Sequence, residues 1–272
     1  IYELVKIAEG PLARPVAATR PFAAAAPAAW SQQSTAGGLE EIVVTATRRE
    51  ANLQTIPVAV SAFTGQALAD DKLFSVGDLA NATPSFSYTA FTPVDQELNI
   101  RGVTNTRLDS PTSHPSIGTF VDGIYIGRTG DYNFDFYDLE RVEVIRGPQG
   151  VLLGKNVVGG ALSVITMSPS QDTSSEVTAS YGNYSAILLG GHVNGGLTDT
   201  LSGRLSVQYR KHDGYAEDVL HHRDVEDLDS KQARGQLLWE PGDGWRIRGI
   251  LDHTDDESNG INAVAVDGGT KS

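Results

Sequence analysis

The residues best equipped for chemistry in this chain are histidines set beside carboxylates. His221-His222 lies between Asp218 and Asp224, and His253 precedes Asp255, Asp256 and Glu257. Imidazole and carboxylate together suit transition metals. Neither group has a spacing such as H-E-x-x-H, which sets two imidazoles on one helix face. Both therefore read as solvated loop residues, and no metal site is expected. Gly154-Lys155 raises a second chemistry, a phosphate cradle. The G-x-x-x-x-G-K-[ST] pattern fails here, because Gln149 and Asn156 stand where glycine and a metal-binding hydroxyl are required. With no cysteine, thiolate catalysis, Cys-ligated metals and disulfides are excluded. No Ser-His-Asp or paired-carboxylate arrangement follows from the spacing. No catalytic residue and no cofactor is assigned, and the chain is not read as an enzyme.

Composition narrows the partners. The chain has 272 residues, a net charge of -13 and a pI near 4.8. An acidic chain is a poor candidate for binding nucleic acid. No apolar run approaches the ~18 residues of a transmembrane helix. Transmembrane strands leave a weaker trace, about 10 residues of alternation each. The mean hydropathy of -0.21 is therefore no argument against a membrane location.

The elements that position these residues fall into two patterns. Residues 51–167 mix short strands with two small helices. Pro57–Phe63 reads as a strand; Thr64 caps a helix over 65–71 and Ser75 another over 76–80. Leu98–Gly102 is a strand entering a turn, and 118–128 is a hairpin with Asp122-Gly123 at its tip. Leu139–Met167, LERVEVIRGPQGVLLGKNVVGGALSVITM, holds two apolar strands around a glycine-rich turn. Beyond Ser168–Ser175, a linker by composition, strict period-2 alternation takes over. Leu201, Gly203, Leu205, Val207 and Tyr209 alternate with Ser202, Arg204, Ser206, Gln208 and Arg210. Similar runs cover 177–181, 232–239 and 245–252, while 185–193 fits less cleanly. Arginine on the polar face suits a strand between lipid and a wet lumen. Tyr209, Trp239 and Trp245 sit at strand ends, where an aromatic girdle belongs. The connection 212–230 is long and the turns 194–200 and 241–244 are short, the asymmetry of a spanning sheet whose long loops lie on one side.

VEVIRGPQG, GKN and GGALSVIT, together with the IRG of Ile100-Arg101-Gly102, resemble the plug domain of TonB-dependent outer-membrane receptors over roughly residues 39–254. In that family an α+β plug sits inside a β-barrel of about 22 strands. The resemblance implies an α+β plug followed by antiparallel strands of an incomplete transmembrane barrel. The expected division is an Ala/Pro-rich leader or linker over 1–38, a TonB-box segment over 39–50, the plug over 51–170, and about five barrel strands over 171–272. After the linker, only about 100 residues remain for a wall that needs several hundred, so a truncated barrel is expected.

Glu41, Ile42, Val43, Val44, Thr45 and Ala46 form an isolated β-prone segment on a tether, suited to adding itself to another protein's sheet edge. It resembles the TonB box, which implies the periplasmic C-terminal domain of TonB as partner. The resemblance also implies that Arg101 and Arg146 meet carboxylates of the barrel. Two polar stretches, 88–97 and 104–116, are expected to face ligand, with Arg107, Asp109 and His114 in the second as hydrogen-bonding groups. The function implied is TonB-dependent import of a scarce nutrient, most often a ferric siderophore, in the outer membrane of a Gram-negative bacterium. Outer-membrane lipid and a small-molecule ligand are the other partners. The competing expectation is a secreted β-rich adhesion or structural module.

Overall fold

The computed structural model of the chain describes residues 3–6, 43–44, 51–52, 58–90, 96–104, 114–127, 135–218, 223–242 and 244–258. Three short strands come first: β1 (Glu3–Lys6), β2 (Val43–Val44) and β3 (Ala51–Asn52). β2 pairs antiparallel with β3, Val44 opposite Ala51.

The mixed unit follows. Its elements in order are β4 (Ala59–Thr64), α1 (Gly65–Asp70), α2 (Val76–Ala82), β5 (Phe86–Ala90), β6 (Gln96–Ile100), β7 (Ile117–Val121), β8 (Ile124–Ile126), β9 (Leu139–Arg146), α3 (Gly150–Leu153) and β10 (Gly160–Thr166). Five strands form one sheet in the order β4-β9-β10-β7-β8. β10 runs parallel to β7, and the remaining pairs are antiparallel. β10 is central and nearly continuous in apolar residues, while its neighbour β9 alternates apolar and charged residues, burying Glu143 and Arg141 as an ion pair. Val142, Val144 and Leu162 pack with Leu68 of α1, Val76 and Leu79 of α2, and Phe86, Leu98 and Ile100 of the β5–β6 pair. A second cluster of Phe120, Ile145, Val157 and Ala161 covers the opposite face.

Local chemistry fixes the ends. Asp122 (φ 48°) and Gly123 (φ 80°) are both left-handed, as a two-residue hairpin requires. Thr64 Oγ1 accepts the Ala67 amide at 3.2 Å and starts α1. Ser75 Oγ accepts the Asp78 amide at 3.2 Å, and Asp78 Oδ2 in return takes Ser75 Oγ at 2.8 Å and the Phe74 amide at 3.0 Å. This is a variant of the capping box, in which Asp78 takes the amide of the residue before the cap and the cap hydroxyl. Ser75→Ala should cost about 1 kcal/mol, read as a lower denaturant midpoint and faster exchange of the Asp78 amide. Unchanged exchange there would show that the cap carries no stability.

One stretch expected to be loop is structured. Phe86–Ala90 pairs with β6, Tyr88 opposite Leu98. The polar segment expected over 88–97 therefore begins and ends in strands, and its middle, 91–95, lies outside the described residues.

The second unit is a twisted antiparallel sheet: β11 (Ser174–Tyr181), β12 (Ile187–Thr198), β13 (Leu201–His212), β16 (Leu228–Gly242) and β17 (Trp245–Asp256). A small hairpin, β14 (Ala216–Asp218) with β15 (Arg223–Val225), lies in the connection between β13 and β16. The sheet order is β1-β11-β12-β13-β16-β17, and it is open among the described residues. β12 is a full strand where the alternation was weak. Its glycines, Gly190, Gly191, Gly195 and Gly196, erase the pattern, and Leu188 lies buried on the otherwise polar inward row.

The two faces of this sheet invert the rule for soluble proteins. Val177, Leu205, Val207, Leu237 and Leu251 point outward and are exposed, Leu251 by 78%. Ser202, Arg204, Ser206, Arg234 and Gln236 point inward and are buried. Exposed apolar rows and covered polar rows belong to a wall with lipid outside. Tyr181, Trp239 and Trp245 stand exposed at strand ends, where a membrane interface would hold them.

Candidate functional site

The inward row of the wall would be costly to bury without partners. The mixed unit supplies them. Residues 135–138, just before β9, lie along the β13–β16 seam and meet one wall group after another. Asp135 pairs with Arg210, and Gln232 Nε2 donates to its other oxygen at 3.3 Å. The Phe136 amide donates to the Phe74 carbonyl at 2.8 Å and holds the segment against α2. The Tyr137 ring lies 4.5 Å below the Arg234 guanidinium, and its hydroxyl donates to Asp252 Oδ1 at 3.0 Å. Arg234 Nε reaches the same carboxylate at 2.5 Å. Asp138 receives Arg204 Nε on both oxygens at 3.0 and 2.9 Å, with the Arg204 Nη2 and Ser206 Oγ bonds completing the set.

These environments set the protonation states. Burial alone would raise the Asp138 carboxyl, but hydrogen bonds from Arg204 and Ser206 outweigh it and hold it below the usual carboxylate range. At Asp135 burial wins and lifts the carboxyl, with Arg210 opposing. Burial also raises the Tyr137 phenol, against Arg234, so it remains a donor.

Two further nodes fasten the end of the mixed unit. Asp122, in the β7–β8 turn, accepts the Thr166 amide at 2.9 Å and the Thr166 hydroxyl at 2.7 Å. Arg248 of the wall donates to Thr166 Oγ1 at 2.5 Å and lies 3.6 Å from Asp122. It also donates to Gln236 Oε1 at 2.6 Å, and Gln236 Nε2 donates to the Met167 carbonyl at 3.1 Å. Asn194 Nδ2 then clasps the linker, bonding Ser170 Oγ at 2.9 Å and the Asp172 carbonyl at 2.7 Å. The charged groups of this array are taken up in pairs and hydrogen bonds among the described residues. The array is a charged, hydrogen-bonded fastening between a domain and a wall, and buried ion pairs of this kind set position more than net stability.

The residues picked out from the sequence lie elsewhere. Arg101 is exposed in a turn after β6, with φ 56°. Arg146 Nη2 donates to Ser61 Oγ at 2.7 Å, within the mixed unit. Neither makes a hydrogen bond or ion pair to the wall among the described residues. At the seam described here, Arg204 and Arg210 of the wall meet Asp138 and Asp135 of the mixed unit. Val43 and Val44 are the strand β2; Glu41, Ile42, Thr45 and Ala46 lie outside the described residues, as do Arg107 and Asp109. His114 is exposed. His221 and His222 lie outside the described residues, and His253 is exposed on β17.

Residues 52–161 match the TonB-dependent Receptor Plug Domain family. Over 217 residues the chain is 26% identical to the vitamin B12 transporter BtuB of Photobacterium profundum, covering 76% of this chain and 34% of that protein. Over 178 residues it is 29% identical to a hemin receptor of Yersinia enterocolitica, covering 61% and 25%. Its fold is like that of the ferric yersiniabactin uptake receptor FyuA from Yersinia pestis, with a TM-score of 0.66 at 19% identity, covering 72% of this chain and 31% of that one. The chain thus spans about a third or less of the length of these relatives.

Proposed function

We propose, for a chain that is the plug domain and adjoining barrel strands of a TonB-dependent outer-membrane receptor, that it serves energised import of a scarce nutrient, a ferric siderophore first among the candidates. The observation that carries this reading is an α+β domain fastened by ionic bonds to the polar face of strands whose other face is exposed and apolar. Such a domain closes a lumen, and closing is useful only if it can be undone. Relatives named for ferrichrome and for ferric-pyoverdine support iron chelates, while those named for hemin and vitamin B12 keep the substrate class wider.

In this reading Glu41–Ala46 is the segment that TonB grips, and the short β2–β3 pairing gives way to a strand added to TonB's sheet edge. Ligand meets the opposite end of the plug, at the loop holding Arg107, Asp109 and His114. The plug spans about 51–170, and the wall strands follow it. The work is mechanical, with the energy arriving through TonB, and no bond of the ligand is broken.

The test is import of ⁵⁵Fe-labelled ferrichrome and pyoverdine, hemin and cyanocobalamin by cells expressing the receptor from its complete reading frame, with and without TonB. Val44→Pro removes a ladder donor and fixes φ where an added strand needs freedom. Import of the accepted ligand should fall about tenfold or more while ligand binding to the cells is unchanged. Import at the wild-type rate in Val44→Pro would remove residues 41–46 from the coupling role.

A further inference from the structure

The end of the wall away from the linker carries aromatic rings that the fastening does not use. β11 and β12 are joined there by a tight turn. The Gly182 amide donates to the Ala186 carbonyl at 2.8 Å and the Ala186 amide to the Asn183 carbonyl at 3.1 Å. Between them Tyr184 and Ser185 have φ of 56° and 52°. Two left-handed residues in succession favour an Asn-Gly pair, so a tyrosine here is strained. The turn carries the Tyr184 ring onto Tyr215, which follows β13, with centroids 6.2 Å apart and planes at 64°. The Asp213 amide donates to the Tyr184 carbonyl at 2.8 Å and ties the two connections together. His212 adds a third ring, 6.1 Å from Tyr215, its Nδ1 donating to the Asp213 carbonyl at 3.0 Å.

These rings are not a core. Tyr184 and Tyr215 are each 61% exposed, and their steeply crossed planes leave a corner open to solution. The charge around that corner has one sign. The Tyr215 hydroxyl donates to Glu226, and partial burial, then that carboxylate, raise the phenol above its ordinary value and keep it protonated. The whole connection 212–230 holds seven carboxylates against one arginine. Ring faces attract a cation electrostatically. A field of carboxylates concentrates cations and repels anions. Strain spent on placing a ring is a mark of use, since packing alone would be served by a relaxed turn.

We propose that Tyr184, Tyr215 and Glu226 form a seat for the ammonium group of a solute. The two tyrosines present ring faces to the cation, and Glu226 balances its charge. Long connections of a spanning wall lie on the outer side of the membrane, so the seat meets a solute before the plug does. As a binding site it is independent of import. As a cargo site it rests on the import reading above and narrows the class, to a nutrient or chelate that carries a protonated amine and away from one that is anionic.

The minimal probe is choline, set against its uncharged isostere, in which carbon replaces the ammonium nitrogen. Binding of each to the purified full-reading-frame receptor in a non-ionic detergent is titrated by saturation-transfer difference NMR. Choline is expected to bind about tenfold more tightly than the isostere, and about tenfold more weakly in Tyr184→Leu and Tyr215→Leu, which keep bulk and lose the π face. Glu226→Gln should weaken choline and leave the isostere unchanged. Tyr184→Phe keeps the ring and should keep the binding. Tyr184→Asn relaxes the turn, because asparagine tolerates the left-handed region. It should fold at least as well as the wild type while losing the site, and it replaces a leucine variant that fails to fold. Choline that binds no better than the isostere, in a receptor that still imports a ligand with TonB, overturns the seat and keeps the import reading. Choline binding unchanged in Tyr184→Asn overturns the seat as well. Selective choline binding in a receptor that imports nothing with TonB keeps the seat and overturns the import reading.

Discussion

Arg204→Gln is expected to unfasten the plug from the wall. Both members of the Arg204–Asp138 pair are nearly enclosed, their side chains 5% and 6% exposed. Removing one partner of such a pair leaves a buried charge behind, at a cost of about 3–5 kcal/mol. Glutamine can replace one donor but neither the charge nor the two-point grip. The loss should appear as protease cleavage in 168–175 at denaturant concentrations that leave the wild type intact. Its pH dependence distinguishes lost charge from lost packing. In the wild type the Asp138 carboxyl is held below its ordinary value, so its stabilisation is complete above the ordinary carboxylate pKa of about 3.9 and fades as pH falls below that range. In Arg204→Gln the largest opposing influence, burial, is left to act and raises the carboxyl. A raised carboxyl reverses the sign, so protonation favours docking and acidification strengthens it. A variant whose docking weakens on acidification, as the wild type does, would show that Arg204 is not what holds Asp138 ionised.

Gly160→Val should be among the most damaging single changes inside the plug. Gly160 begins β10, paired with Arg146 on one side and Ile117 on the other, at the centre of the sheet. Its φ is 150°, and an added Cβ would fall 2.2 Å from the Ile145 carbonyl oxygen and 3.0 Å from Ile100 Cδ1. The carbonyl belongs to a central strand and cannot retreat without breaking the ladder. Backbone strain of this kind costs about 1–3 kcal/mol, and the overlap adds to it, so a loss of about 4 kcal/mol or more is expected. The readout is plug unfolding, followed by hydrogen exchange across Val142–Ile145 while the wall strands remain protected. Gly160→Ala should show most of the same loss, since the first carbon is the one that collides. A stable Gly160→Ala protein would mean that β9 and β10 sit farther apart than this structure places them.

Much of the plug was legible because its signals are local. Thr64 and Ser75 cap helices as their side-chain chemistry dictates, and Asp122-Gly123 makes the turn its dipeptide calls for. β10 reads as a strand because it is a nearly continuous apolar run, and β9 because Val142 and Val144 alternate with charged residues. β12 was harder, since four glycines carry no face to read and Leu188 lies inward, under the plug. β5 was missed because Pro84 and the polar residues around Tyr88 look like loop, and its pairing with β6 is tertiary. The fastening was legible on one side only. Arginines at 204, 210, 234 and 248 announce a polar face by alternation, yet nothing near Asp135 or Asp138 marks them as partners. Those carboxylates lie 66 and 75 residues from Arg204 and Arg210, and they look like any acidic turn. Arg101 and Arg146 meet none of the wall strands described here, so their expected carboxylate partners stay untested.

The sign of that seam bears on biogenesis. Arg204 and Arg210 on β13, Arg234 on β16 and Arg248 on β17 all point the same way on neighbouring strands. Without the plug, Arg204, Arg210 and Arg248 lack the carboxylates beside them and, lying side by side on one face, repel, while Arg234 keeps Asp252 of β17. The plug is then the wall's counter-ion, and a wall made without it should assemble more slowly at low ionic strength and recover as salt screens the repulsion. Plug and wall produced as separate polypeptides should find each other fastest in dilute buffer, the opposite salt response. The same three side chains would thus hinder the wall when it inserts alone and recruit its closure once it has formed.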